Sequence, residues 1–222
     1  MDKSENVIQY VVGIDEVGRG PIAGPVAVCA FLIKDDSFLK NTGDIKLPKL
    51  KDSKKLSKKQ REIWFEYLKK QKEKGKCDYA VSFVSPENID KFGIAKCIQK
   101  ALNQSLEKVI SQEIPFSSCT REEDRPSQKV SPASFSVFLD GGLHAPVEYV
   151  NQETIIRGDE LHPVISMASI MAKVSRDRIM TKYAEVYPDY GFENHSGYGT
   201  KAHYEAIKTH GQTPIHRKSF IH

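Results

Sequence analysis

The fold is decided by one stretch near the start of the chain, Gly13-Ile14-Asp15-Glu16-Val17-Gly18-Arg19-Gly20-Pro21-Ile22-Ala23-Gly24-Pro25. Apolar runs at 7–14 and 25–33 flank it, and each is short enough to form a buried strand. Its glycines and prolines favour a tight turn between the two strands. The glycine spacing also fits a dinucleotide-binding fingerprint, but that motif requires a helix next, and an apolar strand follows here. The stretch therefore predicts two strands joined by a turn, the first ending at two carboxylates.

Beyond this stretch, the apolar pattern changes between the strand period and the helix period. Further strands are predicted at 78–85, 136–140 and 148–156, and helices at 58–74, 94–112, 163–186 and 200–210. Ser57 is the expected N-cap of the first of these helices, and Ser85-Pro86-Glu87 opens a shorter one. Loops are expected at 35–55 and 113–134. Strands come first and helices are then interleaved, which predicts an α/β or α+β layer fold.

The composition excludes several classes of protein. The 222 residues are 39% hydrophobic and 28% charged, and no apolar run approaches the roughly 18 residues of a transmembrane helix. The first residues lack the basic and apolar segments of a signal peptide, so we expect a cytoplasmic protein. Four scattered cysteines, Cys29, Cys77, Cys97 and Cys119, argue against a metal knuckle or a disulfide framework and favour free buried thiols.

Basic charge is concentrated in one segment, which we call the basic lobe. Residues 46–76 contain 13 Lys or Arg and 4 Asp or Glu, a net charge of +9, whereas the whole chain has +4. A basic lobe next to an acidic remainder suits a polyanion, such as a nucleic acid, that approaches a metal-dependent site. A solvated lysine-rich helix is the alternative interpretation.

Four carboxylates stand at positions that favour a shared site. Asp15 and Glu16 end the first strand, and Asp140 ends a later strand before two glycines. Asp177 follows small and apolar residues on the long helix, so it should lie near the core, where an acid is costly unless a cation neutralises it. An exposed ion pair with Lys173, four residues earlier, is the alternative. Four oxygen ligands without a His or Cys cluster favour Mg²⁺ or Mn²⁺, as two ions about 3.5–4 Å apart.

An aromatic residue stands in a polar loop near the C terminus. Tyr198 lies between Gly197 and Gly199, a setting that favours more exposure than a core aromatic has. Its ring could therefore stack on a base or a sugar of a nucleic acid. A tyrosine that packs only against its own loop is the alternative.

Six motifs, taken in order along the chain, carry a resemblance to a known family. They are the stretch at 13–25, Asp52-Ser53-Lys54-Lys55-Leu56-Ser57, Leu139-Asp140-Gly141, the run from Gly158-Asp159 to Asp177, Gly197-Tyr198-Gly199-Thr200 and His216-Arg217-Lys218-Ser219-Phe220. Together they closely resemble ribonuclease HII, the type 2 ribonuclease H of bacteria. The chain departs from the family pattern at 113–134, which looks like a longer loop, and at Gly142-Leu143-His144.

The resemblance implies a ribonuclease H-like fold, with a mixed five-stranded sheet flanked by helices and a small C-terminal helical segment. Residues 1–190 would form the catalytic domain, and 191–222 a C-terminal loop and helix that complete the substrate site. The implied activity is metal-dependent endonucleolytic cleavage of RNA in RNA–DNA hybrids, and incision 5′ of single ribonucleotides embedded in duplex DNA. The products would be a 3′-hydroxyl and a 5′-phosphate. We expect a monomer without a membrane partner, acting in ribonucleotide excision repair and DNA replication.

The resemblance also assigns residues to the site. Those assigned to catalysis and to Mn²⁺ or Mg²⁺ are Asp15, Glu16, Asp140 and Asp177. Those assigned to the substrate are Gly18, Arg19, Gly20, Lys54, Lys173 and Tyr198. The glycine-rich segment would sense the ribose 2′-hydroxyl, the tyrosine would pack on the sugar at the RNA–DNA junction, and the cations would contact phosphates. A glycine-flanked backbone suits this task, because it can meet a hydroxyl group without side-chain bulk.

Two other functions remain open from the sequence. A nucleic-acid-binding module without catalysis would show the basic lobe and aromatic residues, but it would need no acid cluster. A DNA nuclease or resolvase of the same fold would share the acids and would cut an all-DNA duplex. Metal-dependent nicking of a duplex that contains one ribonucleotide separates the binding module from an enzyme, and an all-DNA duplex separates the DNA nuclease or resolvase.

Overall fold

The chain folds around one mixed sheet. The computed structural model describes residues 10–33, 47–50, 53–113 and 131–221. The strands are β1 (Tyr10–Val17), β2 (Val26–Ile33), β3 (Cys77–Val84), β4 (Phe135–Asp140) and β5 (Gln152–Ile155). Their order across the sheet is β3-β2-β1-β4-β5. β1 pairs antiparallel with β2 and parallel with β4. β2 pairs antiparallel with β3, and β4 pairs parallel with β5. The expected mixed five-stranded sheet is confirmed.

Helices flank this sheet. In the described ranges they are α1 (Lys58–Glu73), α2 (Pro86–Phe92), α3 (Ile94–Glu113), α4 (Gly158–Leu161), α5 (Pro163–Val186), α6 (Phe192–His195) and α7 (Lys201–His210). At the start of α1 the Ser57 hydroxyl accepts from the Gln60 N–H, and the Gln60 side chain accepts from the Ser57 N–H. This capping box satisfies N–H groups that the first helical turn leaves unpaired. No helix among them is long and apolar enough to cross a membrane.

Both faces of the sheet are covered. β2 is buried along its whole length, because α3 packs on one face of the sheet and α5, with α1 beside it, packs on the other. α5 approaches β1 closely at Gly13, where a Cβ would overlap the Val164 carbonyl group. This contact fixes the long helix directly against the strand that carries Asp15 and Glu16.

The structure differs from the sequence predictions at a few element ends. β1 continues through the two acids to Val17, because β2 pairs with it that far. β5 covers only Gln152–Ile155 of the strand predicted at 148–156. The helices α4 and α6 have four residues each, too short to show a helical period, and they were not predicted.

Some expectations fall outside the described residues. The loop predicted at 113–134 lies largely there, as does most of the loop predicted at 35–55. Cys119 is also outside. Cys29, Cys77 and Cys97 are buried thiols that form no disulfide with one another, as expected.

Candidate active site

Three carboxylates meet at one edge of the sheet. β1 and β4 run parallel with Ile14 opposite Leu139, so Asp15 and Asp140 come next, side by side. Glu16 follows on β1. One oxygen from each of the three acids lies within 4.8 Å of the others. The structure thus brings together three of the four predicted acids, because the carboxyl ends of parallel strands share one edge.

The environment of Asp15 opposes its ionisation. The residue is only 5% exposed, and burial raises the pKa of its carboxyl well above the usual range. A hydrogen bond with Ser169 on α5 lowers that pKa, while the charges of Glu16 and Asp140 raise it further. Burial also raises the pKa of Glu16, and the charge of Asp140 adds to the effect. Repulsion of this kind is relieved when a cation enters the group.

Asp159 is a further acid at this edge that the residue assignments missed. It lies on α4, is 5% exposed, and its N–H donates to Asp140 Oδ1 over 3.3 Å. Its charge is also among those that raise the pKa of Asp15. Just before α4, Arg157 has φ 59°, a left-handed conformation that is costly for a residue with a side chain. The Gly158-Asp159 pair was the available signal, since it belonged to the motifs of the resemblance.

The structure places Asp177 outside the cluster, contrary to the prediction. Its Oδ1 accepts from Lys173 Nζ over 2.8 Å and from the Ser196 hydroxyl over 3.1 Å. Its Oδ2 lies 3.9 Å from the Arg61 guanidinium. Asp177 stands eight residues after Ser169 on α5, about 12 Å along the helix axis, which separates it from Asp15. The ion pair with Lys173 is observed, but it is not the exposed pair of the alternative interpretation, because both side chains are only 17% exposed.

Two of the predicted substrate-binding cations lie beside the carboxylates. Lys54 Nζ is 3.4 Å from Asp159 Oδ2, and the Arg19 guanidinium is 3.7 Å from Glu16. Both side chains are largely exposed, and the charges of both lower the pKa of Glu16. They are therefore accessible to a phosphate that reaches the carboxylates.

The basic lobe is attached directly to this site. The Ser53 and Ser169 hydroxyls are 2.8 Å apart in a buried contact, and Ser169 is the residue that hydrogen-bonds Asp15. Arg61 on α1 donates to the carbonyls of Ser53 (2.9 Å) and Leu56 (2.6 Å). These bonds hold the turn that carries Lys54 and the start of α1 next to the acids.

Tyr198 lies beside the glycine-rich turn, residues 18–25, which joins β1 to β2. Its side chain is 45% exposed, and a Cβ on Gly20 would be 3.9 Å from its Cε1 atom. The carbonyl of Gly197 accepts from the N–H groups of Ile22 (2.9 Å) and Ala23 (3.2 Å). The segment assigned to the 2′-hydroxyl and the aromatic assigned to the sugar are thus joined as neighbours.

Two histidines support the loop that carries Tyr198. His216 Nδ1 accepts from the Thr213 N–H over 2.8 Å, so its proton is on Nε2, which donates to His203 Nε2 over 3.0 Å. His203 Nδ1 then donates to the Tyr198 carbonyl over 2.9 Å. Burial lowers the pKa of His216 and lowers that of His203 to about 4. Both rings are therefore neutral at physiological pH, and the chain of hydrogen bonds stays intact.

The acids fit a hard divalent cation. The cluster offers carboxylate oxygens, the ligands that Mg²⁺ and Mn²⁺ prefer, and among the described residues no His or Cys belongs to it. Asp15, Glu16 and Asp140 would hold such an ion. Asp159 borders this group, because its N–H contacts Asp140 and its charge acts on Asp15.

We expect Mn²⁺ or Mg²⁺ to raise the thermal unfolding midpoint more at pH 8 than at pH 5. Without metal, the raised pKa values of Asp15 and Glu16 remove stability as pH rises from the unfolded value of about 4 through the folded value. A divalent cation offsets this repulsion only where the carboxyls are ionised. The midpoint is measured in EDTA and in each metal at both pH values.

A matched pair of variants controls this measurement. Asp140→Asn should lose most of the metal-dependent increase, whereas Asp177→Asn should keep it. Equal metal effects at the two pH values, or loss of the effect in Asp177→Asn alone, would contradict the assignment.

Comparison with known proteins relates nearly the whole chain to one family. The family model described as Ribonuclease HII matches residues 12–222. A Ribonuclease HII of Endomicrobium trichonymphae is 41% identical over 210 residues, which cover 95% of this chain and 84% of that protein. A Ribonuclease HII of Clostridioides difficile (strain 630) is 38% identical over 212 residues, covering 96% and 70%.

Solved structures share the fold. The PCNA:RNase HII complex from Archaeoglobus fulgidus contains a chain that matches with a TM-score of 0.66 and 26% identity, covering 96% of both chains. Bst-RNase HIII, solved in complex with Mn²⁺, matches with a TM-score of 0.65, covering 96% of this chain and 67% of that one. Its 16% identity supports a likeness of fold alone. The expected ribonuclease H-like fold is confirmed.

Proposed function

Because this chain belongs to the ribonuclease HII family, endonucleases that hydrolyse RNA in RNA–DNA hybrids, we propose that it also incises duplex DNA at single ribonucleotides. The cut would lie 5′ of the ribonucleotide and leave a 3′-hydroxyl and a 5′-phosphate. One observation carries the proposal: the turn beside Tyr198 begins at Gly18, two residues after Glu16 of the carboxylate cluster. A ribose held by that turn would place its phosphate at the acids. This incision would start the removal of ribonucleotides from DNA during repair and replication.

We assign the metal to Asp15, Glu16 and Asp140, with Asp159 in the place predicted for Asp177. Bound there, two Mg²⁺ or Mn²⁺ ions would supply activation of a water molecule and charge stabilisation for an in-line displacement at phosphorus. The chain's own contribution is to fix the acids. Asp15 is held by Ser169, and Asp140 accepts from the backbone of the helix that carries Asp159.

The turn Gly18-Arg19-Gly20 is proposed to read the ribose. Gly18 has φ +89°, which a residue with a side chain rarely adopts, and a Cβ there would collide with Arg176. Arg19 and Gly20 are exposed, so their backbone can approach a sugar. A ribose offers a 2′-hydroxyl that accepts and donates, whereas deoxyribose offers nothing at that position.

Residues 191–222 are proposed to complete the substrate site. Tyr198 would pack on the deoxyribose that follows the ribonucleotide. Lys173 pairs with Asp177, and together with Arg61 and Tyr198 it lines a polar cavity. It would fix the arrangement of the side chains around this cavity. Lys54 and Arg19 would contact phosphates near the acids. The protein would not need to recognise the base sequence of such a substrate, so contacts with phosphates would dominate its affinity.

Asp159→Asn is expected to lower the cleavage rate about 10- to 100-fold, the usual effect of disturbing a metal's supporting groups. Asp177→Asn is expected to stay within a fewfold of wild type, because an asparagine can still accept from Ser196. Single-turnover rates on one RNA–DNA hybrid compare the two variants. A larger loss of cleavage rate in Asp177→Asn than in Asp159→Asn would mean that Asp177 is the fourth metal-binding carboxylate, as the sequence predicted.

Binding is expected to weaken steeply with salt, and the basic lobe should set the slope. Each neutralised phosphate adds about 0.9 to the slope of log K against log salt. Reversing the charges of Lys54, Lys55, Lys58 and Lys59 should flatten it. The control reverses four exposed lysines on the opposite side of the sheet: Lys91, Lys96, Lys100 and Lys108. An equal slope in both variants would mean that the basic lobe is merely solvated.

Nicking of a duplex with one ribonucleotide tests the proposed function. We expect cleavage that requires a divalent cation, and no cleavage of the same duplex made wholly of DNA. Binding without cleavage would indicate a binding module, and cleavage of the all-DNA duplex would indicate a DNA nuclease or resolvase.

A further inference from the structure

Two arginines near the glycine-rich turn are buried in an unusual way. Arg176 on α5 and Arg217 near the C terminus are both 0% exposed, and in the described part of the chain neither forms an ion pair with an acid. Burial lowers the pKa of Arg176 to about 10 and that of Arg217 to about 9, so both remain charged at neutral pH. A buried charge is costly unless its hydrogen bonds are satisfied, and here backbone carbonyls satisfy them.

The carbonyls come almost entirely from the glycine-rich turn. Arg217 donates to the carbonyls of Gly18 (2.7 Å), Arg19 (3.1 Å) and Gly24 (2.9 Å). Its guanidinium also lies over the ring of Phe220, 5.2 Å from the centroid. The last residues of the chain thus hold both ends of the turn.

Arg176 holds the rest of the turn and links it to the tyrosine loop. It donates to the carbonyls of Pro25 (2.8 Å) and Ala23 (3.1 Å), and to that of Ser196 (2.9 Å). Ser196 has φ 48°, in the left-handed region. One guanidinium therefore connects the two sides between which a sugar would lie.

These bonds fix the direction of two N–H groups. In a trans peptide the carbonyl and the following N–H point in opposite directions. Arg217 donates from the protein interior to the carbonyls of Gly18 and Arg19. The N–H groups of Arg19 and Gly20 therefore point away from the interior. Among the described residues, no backbone acceptor is found for either N–H. Two adjacent free donors form a small concavity that suits an electronegative oxygen.

We propose that Arg217 and Arg176 are positioning residues for ribonucleotide selectivity, because they hold the N–H groups of Arg19 and Gly20 toward the 2′-oxygen of the substrate. The inference rests on the proposed function and adds the residues that create its selectivity. Neither arginine is required to touch the nucleic acid. Their effect is on the ratio of affinities for ribonucleotide-containing and all-DNA duplexes.

The test measures that ratio with Arg217→Lys. The metal-free protein in EDTA is titrated with two fluorescent duplexes that differ only in one 2′-hydroxyl. Lysine keeps the positive charge, but its single ammonium cannot hold three carbonyls in a fixed plane. We expect the affinity ratio to fall about 5- to 10-fold, as for the loss of one or two hydrogen bonds. Affinity for the all-DNA duplex should be unchanged.

Two control variants separate positioning from stability. Arg178→Lys makes the same replacement on α5 at a residue that pairs with Glu62 and Glu66, and it should keep the wild-type ratio. Val109→Ala in the buried core of α3 should lower the unfolding midpoint without changing the ratio. If Arg217→Lys does not fold, Arg176→Lys is measured instead and the same loss is expected.

A folded Arg217→Lys or Arg176→Lys with the wild-type ratio would overturn the inference. A ratio of one in the wild-type protein, with nicking of the ribonucleotide duplex intact, would also overturn it and leave the proposed function standing. Failure of the proposed function has a different signature, because the wild-type protein would then not nick that duplex in any divalent metal.

Discussion

Asp140→Asn is expected to reduce cleavage at least about 100-fold, the typical loss when one electrostatic stabiliser is removed from a reacting site. Asp140 shares the cluster with Asp15 and Glu16, and an amide supplies none of the charge that a divalent cation needs there. Single-turnover rates on an RNA–DNA hybrid measure the effect. Duplex binding should remain near the wild-type level, because phosphate contacts by cations supply the affinity.

The matched control is Asp177→Asn, which removes an acid that lies outside the cluster. Its carboxylate is already engaged by Lys173 and Ser196. Near-wild-type turnover in Asp140→Asn would remove that residue from the mechanism. Loss of duplex binding in parallel with activity would instead indicate a damaged fold, which the unfolding midpoint reports separately.

Tyr198→Ala is expected to slow cleavage at a single ribonucleotide about 5- to 150-fold, the equivalent of the 1–3 kcal/mol that aromatic stacking contributes. Cleavage of a continuous RNA–DNA hybrid should suffer less. At a junction the ring would pack on a deoxyribose, whereas a 2′-hydroxyl at that place would crowd it. The exposed ring next to Gly20 supports this reading over a tyrosine that packs only its own loop.

Tyr198→Phe is the control, and it should be mild because the ring rather than the hydroxyl makes the contact. The two substrates are compared side by side for each variant. Equal slowing of both substrates by Tyr198→Ala would assign Tyr198 to loop packing, and the junction-sensing role would be wrong.

Much of the fold was predictable from apolar patterning. β2 is buried on both faces and reads as a continuous apolar run, and α1 begins where Ser57 and Gln60 form a capping box. The four-residue helix α4 was not predictable, since one turn shows no period. That helix carries Asp159, which we propose as a metal-site residue, so the local sequence signal was weakest there.

The site was predictable where it depends on strand direction. Asp15 and Asp140 meet because β1 and β4 are parallel; the sequence showed that both strands end in acids but not their relative direction. Asp177 was misplaced because sequence spacing shows which residues share a helix face but not how far along the sheet each one lies. Its distance of about 12 Å from Ser169 along α5 keeps Asp177 away from Asp15 and the other acids of the cluster.

The positioning role of Arg176 and Arg217 could not be predicted from the sequence, although both residues belong to motifs of the resemblance. The two residues are far apart along the chain, and both contact backbone carbonyls rather than side chains. No pattern of residue types reports a bond to a carbonyl group. Only the folded chain shows that the C-terminal segment closes over the glycine-rich turn, as the bridge between Ala23 and His216 also shows.

Mapping the cut on a duplex with one embedded ribonucleotide tests the central claim most directly. With Mn²⁺ or Mg²⁺, a labelled strand should be cut once, on the 5′ side of the ribonucleotide, and the fragments should carry a 3′-hydroxyl and a 5′-phosphate. The same duplex made wholly of DNA should remain intact. A cut on the 3′ side, a cyclic phosphate product, or equal cutting of the all-DNA duplex would contradict the claim.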